Sequence, residues 1–304
     1  MSISELISCY LEALEKERNL SLNTVRGYRN DLTFFAEWLK TQGINETTEL
    51  EALSHARIRA FWAQRRAESL SAQSMRRGQS ALRGLLKYGM RHHELTKNPA
   101  ENMDSPRGQR SLPKAISSED ISLLLNAPDF NTLLGMRDRA ILETLYGSGL
   151  RVSELAGMTF QDIDFDNQMV RITGKGNKER LAPLTPVSCT AIQSWWAARN
   201  AQMPEQKAER HVFLNHLGTP LSTRSIARVI EKYVRQLAMQ RNVTPHQFRH
   251  SFATHLLNNG ADIRAVQEML GHASLSTTQI YTRISKEKLM QAYRLSHPRS
   301  GEKA

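Results

Sequence analysis

One stretch of the sequence combines a helix start with two side chains that bind anions. Thr244 can cap the helix, Pro245 suits its first position and Gln247 completes a capping box. His246 and Arg249 then lie three residues apart, on one face near the positive end of the helix. This spacing predicts an anion site, to which the alternative is a solvated basic face.

A second basic side chain follows a glycine-rich turn. Two glycines stand at positions 147 and 149, and Arg151 begins a short helix just after them. Glu154 lies one helical turn further on and could orient the Arg151 guanidinium. The alternative is an ordinary surface ion pair, which stabilises little.

A lysine occupies the turn of a predicted β-hairpin. The runs Met169–Thr173 and Glu179–Leu184 alternate between apolar and polar residues, and Gly174-Lys175-Gly176-Asn177 lies between them. Two such runs around a Gly/Asn turn predict a hairpin. Lys175 would then lie at its tip, where an exposed lysine is common and by itself indicates little.

A histidine and a tyrosine follow in the last third of the chain. Gly271 is well placed to end a helix, which puts His272 in the loop beyond it. Ser276–Gln279 form another capping box, and the helix that they open carries Tyr281 in its second turn. Taken alone, a tyrosine in this apolar setting is better explained by packing than by nucleophilic chemistry.

Three histidines of one predicted helix raise a metal-site alternative. His246 and His250 stand four residues apart, a spacing that can bind zinc, and His255 follows. Gln247 breaks the HExxH pattern, however, and no third ligand is suggested. We therefore expect no metal, and a packing and hydrogen-bonding role for His250 and His255.

The composition bounds the class of protein. With 304 residues, 40% of them hydrophobic, the chain can form two globular domains. A formal net charge of +11, with a basic excess in both halves, favours a polyanion such as nucleic acid. The alternative is a basic protein without a specific partner.

The sequence also excludes several classes. Cys9 and Cys189 are far apart and belong to no CxxC motif, so neither a disulfide framework nor a zinc finger is expected. No apolar run approaches the roughly 20 residues that span a bilayer, and the first residues lack a signal-peptide profile. The expected location is the cytoplasm, without membrane contact.

Periodicity and caps predict the elements that must position these side chains. Apolar spacing indicates a helical module in residues 1–97, and prolines 99, 106 and 113 indicate a linker over 98–117. A second domain would cover 118–304, with Ser118 capping its first helix. The predicted helices lie at about 3–17, 22–39, 54–69, 71–92, 187–200, 222–240, 245–258, 263–270 and 277–295.

The six side chains fall within distinctive motifs, in the order Arg151, Lys175, His246, Arg249, His272 and Tyr281. The motifs read GLRVSEL at 149–155, GKGNKER at 174–180, HQFRHSFATH at 246–255, LGH at 270–272 and LSTTQIYT at 275–282. This combination resembles the Xer family of tyrosine recombinases over nearly the whole chain. Within that family it is closest to the XerC and XerD pair, which resolves chromosome dimers, and Gln79–Arg83 with Ser251 lean towards XerC.

The resemblance implies a mainly α, two-domain fold that closes on DNA as a C-shaped clamp. Residues 1–97 would form a four-helix SAM-like DNA-binding domain. Residues 118–304 would form the mixed α/β, mostly α, catalytic domain with a small β-hairpin or sheet. The tail from about residue 287 would dock onto a neighbouring protomer. Candidate DNA contacts on the fourth helix, for which a solvated face is the alternative, are Arg76, Arg77, Arg83 and Lys87.

It also implies a chemistry for a DNA phosphodiester. Arg151 and Arg249 would grip the non-bridging oxygens, with Glu154 supporting Arg151 and His272 adding a hydrogen bond. Tyr281 would attack phosphorus and leave a 3′-phosphotyrosyl link.

Two further side chains would move protons in that step. His246 is the candidate general base, and Lys175 would protonate the departing 5′-oxygen. Neither a metal, ATP nor another cofactor is expected.

The implied function is site-specific recombination of double-stranded DNA at a dif-like site during chromosome segregation. The expected assembly is a tetramer with a second Xer-type recombinase or with copies of the same chain, activated by a DNA translocase such as FtsK. The alternatives are an integrase of a mobile element and a DNA-binding protein that never cuts.

Overall fold

A computed structural model describes residues 1–16, 22–50, 54–92, 94–100, 115–174, 179–202, 210–271 and 286–301. The chain divides into two compact units, Met1–Ser111 and Leu112–Ala304. This division falls within the segment expected to be a linker. The exact domain bounds and the clamp arrangement of the two units stay predictions.

The described residues of the first unit form four long helices and one short one. They are α1 (Ile3–Lys16), α2 (Leu22–Thr41), α3 (Thr47–Leu50), α4 (His55–Ala67) and α5 (Ala72–Arg91). The predicted four-helix module is confirmed, and the one-turn helix α3 is an addition to it. Ser54 and Ser71 cap α4 and α5 as expected, since their hydroxyls accept the N–H groups of Arg57 and Ser74.

The ends of the expected linker are packed rather than extended. Leu95 and Ala100 are buried in the core of the first unit. Ile116 is buried in the core of the second unit, and its N–H group donates to the Ser251 hydroxyl over 2.8 Å. Ala100 and Ile116, both within the expected linker, therefore belong to the cores of the two units.

The first helix of the second unit begins one residue earlier than predicted. Ser117, not Ser118, caps its first helix, because Ser117 has extended backbone angles and its hydroxyl accepts the N–H of Asp120 over 3.1 Å. Ser118 is the first helical residue. The prediction of Ser118 as the cap was wrong by one position.

The described part of the second unit consists of helices and a small sheet. The helices are α6 (Ser118–Asn126), α7 (Leu133–Ser148), α8 (Val152–Ala156), α9 (Pro186–Gln202), α10 (Thr223–Gln236), α11 (Pro245–Asn258), α12 (Ile263–Leu270) and α13 (Lys286–Ser296). Helices α7 and α12 contact the sheet. Helix α10 ends four residues before its predicted end at 240. Residues 277–285 of the last predicted helix lie outside the described residues.

The sheet confirms the predicted hairpin. Strands β2 (Met169–Thr173) and β3 (Glu179–Pro183) pair antiparallel, and a two-residue strand β1 (Ile163–Asp164) adds to the outer side of β2. Ile172 stands opposite Arg180 in this register. Because side chains alternate across a strand, Arg180 shares a face with Ile172, while Arg171 and Leu181 face the other way.

Helix α7 lies in the core of the second unit and ends at the glycine turn that precedes Arg151. It packs against α9 and α11, and its last two turns are buried. A side chain at Gly147 would meet the Ser188 hydroxyl at 2.7 Å, so only glycine allows α7 and α9 to approach this closely. The end of α7 is consequently held in place by packing on its flank.

The last helix packs on its own unit. Leu289, Met290 and Tyr293 of α13 are buried against α11 and α12, and the Tyr293 hydroxyl donates to the carbonyl of Gly147 over 2.6 Å. Leu295 is 78% exposed. Docking of this tail onto a neighbouring protomer stays a prediction. Among the described helices, none is long and apolar enough to cross a membrane.

Candidate active site

A left-handed turn presents Arg151 at the start of α8. Gly149 ends α7 with φ of 60°, a conformation that glycine adopts without strain. A Cβ at this position would also overlap the Phe252 ring. Arg151 has extended angles at the N-cap of α8, and its side chain is 44% exposed. The turn therefore places a partly exposed guanidinium at the start of α8.

Glu154 holds Arg151 as the spacing predicted, but in a stronger geometry than a surface pair. Its carboxylate accepts the backbone N–H of Arg151 over 2.7 Å and the guanidinium Nη1 over 2.8 Å. The same carboxylate accepts both Nη groups of Arg180 over 2.9 Å each. The Glu154 side chain is only 7% exposed, so this is a buried network rather than an ordinary surface pair.

The charge state of Glu154 follows from these contacts. Burial alone would raise the pKa of the carboxyl, but the hydrogen bonds from Arg180 and Arg151 and the charge of Arg180 lower it to about 2. Glu154 is therefore ionised throughout the neutral range. Its two oxygens accept hydrogen bonds from two guanidiniums, so the site keeps a net positive charge.

Arg249 enters the same site from α11. Its Nη1 donates to the carbonyl of Gly149 over 2.7 Å, and its Nη2 donates to the carbonyl of Leu270 over 2.6 Å. Nη1 also lies 4.0 Å from a Glu154 oxygen. Burial and the neighbouring charge of Arg151 lower the pKa of Arg249 to about 10, so the group stays charged at neutral pH. Arg249 ties the end of α7 to the end of α12.

The start of α11 has the predicted cap. Thr244 donates its N–H to the Gln247 side chain over 2.8 Å, and its hydroxyl accepts the N–H of Gln247 over 3.4 Å. His246 is exposed in the first turn, one turn before the buried Arg249. This arrangement presents an imidazole to solvent one helical turn before Arg249.

Comparisons with known proteins identify the family of the chain. The family model "Phage integrase family" matches residues 114–288, and "Phage integrase, N-terminal SAM-like domain" matches residues 7–93. A curated "Tyrosine recombinase XerC" from Myxococcus xanthus is 43% identical, covering 98% of this chain and 99% of the relative. A "Tyrosine recombinase XerD" from Listeria innocua is 36% identical, covering 98% of this chain and 100% of the relative.

The chain belongs to the Xer tyrosine recombinases of the phage integrase family.

Solved structures show the same fold. XerH bound to a palindromic difH substrate matches with a TM-score of 0.66 at 24% identity, over 95% of this chain and 84% of that one. A λ integrase fragment bound to a core site matches with a TM-score of 0.69 at 16% identity, over 94% and 100%. The predicted fold class, mainly helical with a SAM-like and a catalytic domain, is confirmed.

Half of the six expected catalytic residues of this recombinase can be located. The structure brings Arg151 and Arg249 together around Glu154 and puts His246 in the helix of Arg249. Lys175, His272 and Tyr281 lie outside the described residues. Their roles stay predictions. The structure does describe strands β2 and β3, which flank Lys175 in the sequence, and Gly271, which precedes His272.

The other histidines of α11 differ in environment. The Nδ1 of His255 lies 2.9 Å from the Tyr146 hydroxyl, and burial lowers the pKa of this histidine. This contact fits the packing role expected for His255. His250 is half-buried. Within the described part of the recombinase, no three His, Cys, Asp or Glu side chains gather as metal ligands would.

The four candidate DNA contacts on α5 divide into two groups. Arg77 pairs with both Asp31 oxygens over 2.8 and 3.0 Å, which raises the pKa of its guanidinium. Arg76, Arg83 and Lys87 recur at intervals of seven and four residues and therefore share one helix face. The contact with Asp31 shows that Arg77 has a role within the first unit, which the sequence interpretation did not include.

Arg180, the last residue of the GKGNKER motif, was not predicted to belong to the site. Its guanidinium nevertheless binds Glu154. The sequence carried no clear signal, because alternation alone would turn the apolar Leu181 inward, whereas the observed register puts Arg180 on the inward face with Ile172. A charged residue on that face requires a buried partner.

Proposed function

We propose that this recombinase cleaves and rejoins double-stranded DNA at a specific site through a covalent link to Tyr281. The observation that carries the proposal is the pair Arg151 and Arg249, from separate helices, held around Glu154. A DNA phosphodiester resists attack because its negative charge repels nucleophiles. Two adjacent guanidiniums neutralise that charge and match the charge that develops in the transition state.

The phosphate contacts come from residues of different exposure. Arg151 is the more accessible and Arg249 the more buried, with side chains 44% and 8% exposed. A phosphate between them would meet one adaptable and one fixed donor, and His272 is proposed to add a third. Loss of one such donor costs on the order of 3 kcal/mol of transition-state stabilisation, or about 10²-fold in rate.

The proposed covalent step conserves the energy of the phosphodiester bond. The Tyr281 oxygen attacks phosphorus while the bond from phosphorus to the 5′-oxygen breaks. A phenol has a pKa near 10, so His246 is proposed to accept its proton. Lys175 donates a proton to the leaving 5′-oxygen. Rejoining is the reverse, with a 5′-hydroxyl attacking the phosphotyrosyl link, so no ATP is consumed.

The proposed DNA grip adds a basic helix face of the first unit. Arg76, Arg83 and Lys87 share one side of α5, and we propose that they contact phosphates. Such contacts fix the register of a protein on the duplex without reading its sequence. A plot of the logarithm of the binding constant against the logarithm of the salt concentration has a negative slope. Each phosphate that the protein neutralises makes this slope steeper by about 0.9.

The proposed biological role is the resolution of chromosome dimers at a dif-like site. The support is the similarity to proteins named XerC and XerD over nearly the whole chain. We propose that a second Xer-type recombinase, or copies of this chain, complete a tetramer in the cytoplasm, with a DNA translocase of the FtsK kind as activator. A lean to the XerC role stays part of this proposal.

A nicked suicide duplex with the dif-type site of the same genome tests the reaction class. We expect a covalent protein–DNA band on denaturing gels for the wild type, with or without chelator, and none for Tyr281→Phe. A covalent product that survives in Tyr281→Phe would overturn the assignment of the nucleophile. Specific binding without any product, even after the partner recombinase is added, would support a binding role instead.

A further inference from the structure

Arg180 lies at the root of the hairpin arm that would carry Lys175. It is the second residue of β3, and its side chain is 11% exposed. All three nitrogens of its guanidinium have partners within the unit. Nη1 and Nη2 each donate to Glu154 over 2.9 Å, and Nε donates to the carbonyl of Met269 over 3.0 Å.

These contacts distinguish Arg180 from the arginines that are proposed to bind phosphate. A bidentate pair with a buried carboxylate occupies the edge of the guanidinium that would otherwise grip a phosphate. Arg151 uses only one nitrogen of its guanidinium on Glu154 and is four times as exposed. The guanidinium of Arg180 thus makes intramolecular contacts inside the site.

Two catalytic segments meet on Arg180. Through Glu154 it fixes the carboxylate that orients Arg151. Through the Met269 carbonyl it holds the end of α12, one residue before the carbonyl that accepts from Arg249.

Gly271 lies against the same side chain. It has φ of 64°, and a Cβ there would come within 2.7 Å of the Arg180 Cδ. The chain therefore turns over the aliphatic part of Arg180 immediately before His272.

We propose that Arg180 is a positioning residue for strand cleavage, which aims Arg151 through Glu154 and sets the end of α12 from which His272 follows. This inference rests on the proposed function. The β2–β3 hairpin would then have two functions. It would carry Lys175, and through Arg180 it would align the side chains that are proposed to bind phosphate.

The test compares cleavage with binding in matched variants of the full-length protein. Arg180→Gln removes the positioning charge, and Arg171→Gln, on the opposite face of the same sheet, is the control. Single-turnover formation of the covalent complex is measured on the nicked suicide duplex with the dif-type site. The dissociation constant is measured on the same duplex over a range of salt concentrations.

For Arg180→Gln we expect the cleavage rate to fall by about 10²-fold, the loss typical of a misplaced catalytic group. The dissociation constant and the salt slope should match those of the control. In Glu154→Gln and in the double variant the rate should fall to a similar level, since both changes break one unit. Arg180→Lys, which keeps the charge but not the bidentate geometry, should recover only part of the rate.

Four results would overturn the inference. A salt slope smaller by about 0.9 in Arg180→Gln would make Arg180 a phosphate contact. A wild-type cleavage rate in Arg180→Gln, or losses that multiply in the double variant, would deny the coupling to Glu154. If Arg180→Gln unfolds, full activity of a folded Arg180→Lys would refute the geometric requirement.

Failure of the proposed function gives a separate pattern. If the wild type forms no covalent complex, the reaction class fails, while the salt slopes of wild type and Arg180→Gln still decide whether Arg180 contacts phosphate.

Discussion

The Glu154 carboxylate is the charge that Arg151 and Arg180 share, so Glu154→Gln tests the network with little change of shape. The pKa of Glu154 is about 2 against an ordinary value of 4.5. A lowering of this size corresponds to roughly 3 kcal/mol of folding free energy. Because the side chain is 7% exposed, solvent screening removes little of this contribution.

The sign of the pH dependence follows from the direction of that shift. A carboxylate with a lowered pKa stabilises the folded state fully above its ordinary pKa, and this contribution is lost as the pH falls towards 2. We therefore expect Glu154→Gln to lower the free energy of unfolding by roughly 3 kcal/mol at pH 7. At pH 3 the loss should be roughly half as large.

Urea denaturation followed by circular dichroism at pH 7, 5 and 3 measures this difference. Glu231→Gln is the control, because Glu231 is a half-exposed partner of Arg235 one turn along α10, where a pair contributes about 0.5 kcal/mol or less. A loss for Glu154→Gln that is equal at pH 7 and pH 3 would refute the reasoning. It would mean that the buried amide, rather than the missing charge, destabilises the unit.

Three further outcomes are expected. Gly149→Ala should lower the melting temperature well beyond Gly260→Ala, since both have positive φ but a Cβ overlaps an aromatic ring only at Gly149; equal shifts would show that backbone strain alone matters. Burial lowers the pKa of His297 to about 3, so the stability of the wild type should rise with pH between about 3 and 6.5 more steeply than that of His297→Gln; parallel stability curves would contradict this. Arg77→Gln should destabilise the first unit by about 1 kcal/mol through loss of the Asp31 pair and leave the salt slope of DNA binding unchanged; a smaller slope would show that Arg77 contacts phosphate as well as Asp31.

Local spacing carried much of the fold and part of the site. The caps at Ser54, Ser71 and Thr244 and the hairpin follow from patterns of two to four residues, and all are observed. The pairing of Glu154 with Arg151, three residues earlier at the start of α8, was also predictable from local spacing. Such features form between neighbours, so the sequence alone contains the information.

Contacts between distant segments could not be predicted in this way. Arg180 and Glu154 are 26 residues apart, and Arg77 and Asp31 are 46 apart. Periodicity does not identify the partner of a side chain across the core. The cap at Ser117 was missed for a related reason, since burial of Ile116 and its bond to Ser251 fix where α6 begins.

The two carbonyl contacts of Arg249 have a consequence for the cost of binding DNA. They use two of the five N–H groups of a guanidinium and leave others for the phosphate that Arg249 is proposed to bind. The side chain is therefore already immobilised by the backbone before any substrate arrives. Its entropy is lost when the protein folds, so a preorganised site meets the transition state with little reorganisation.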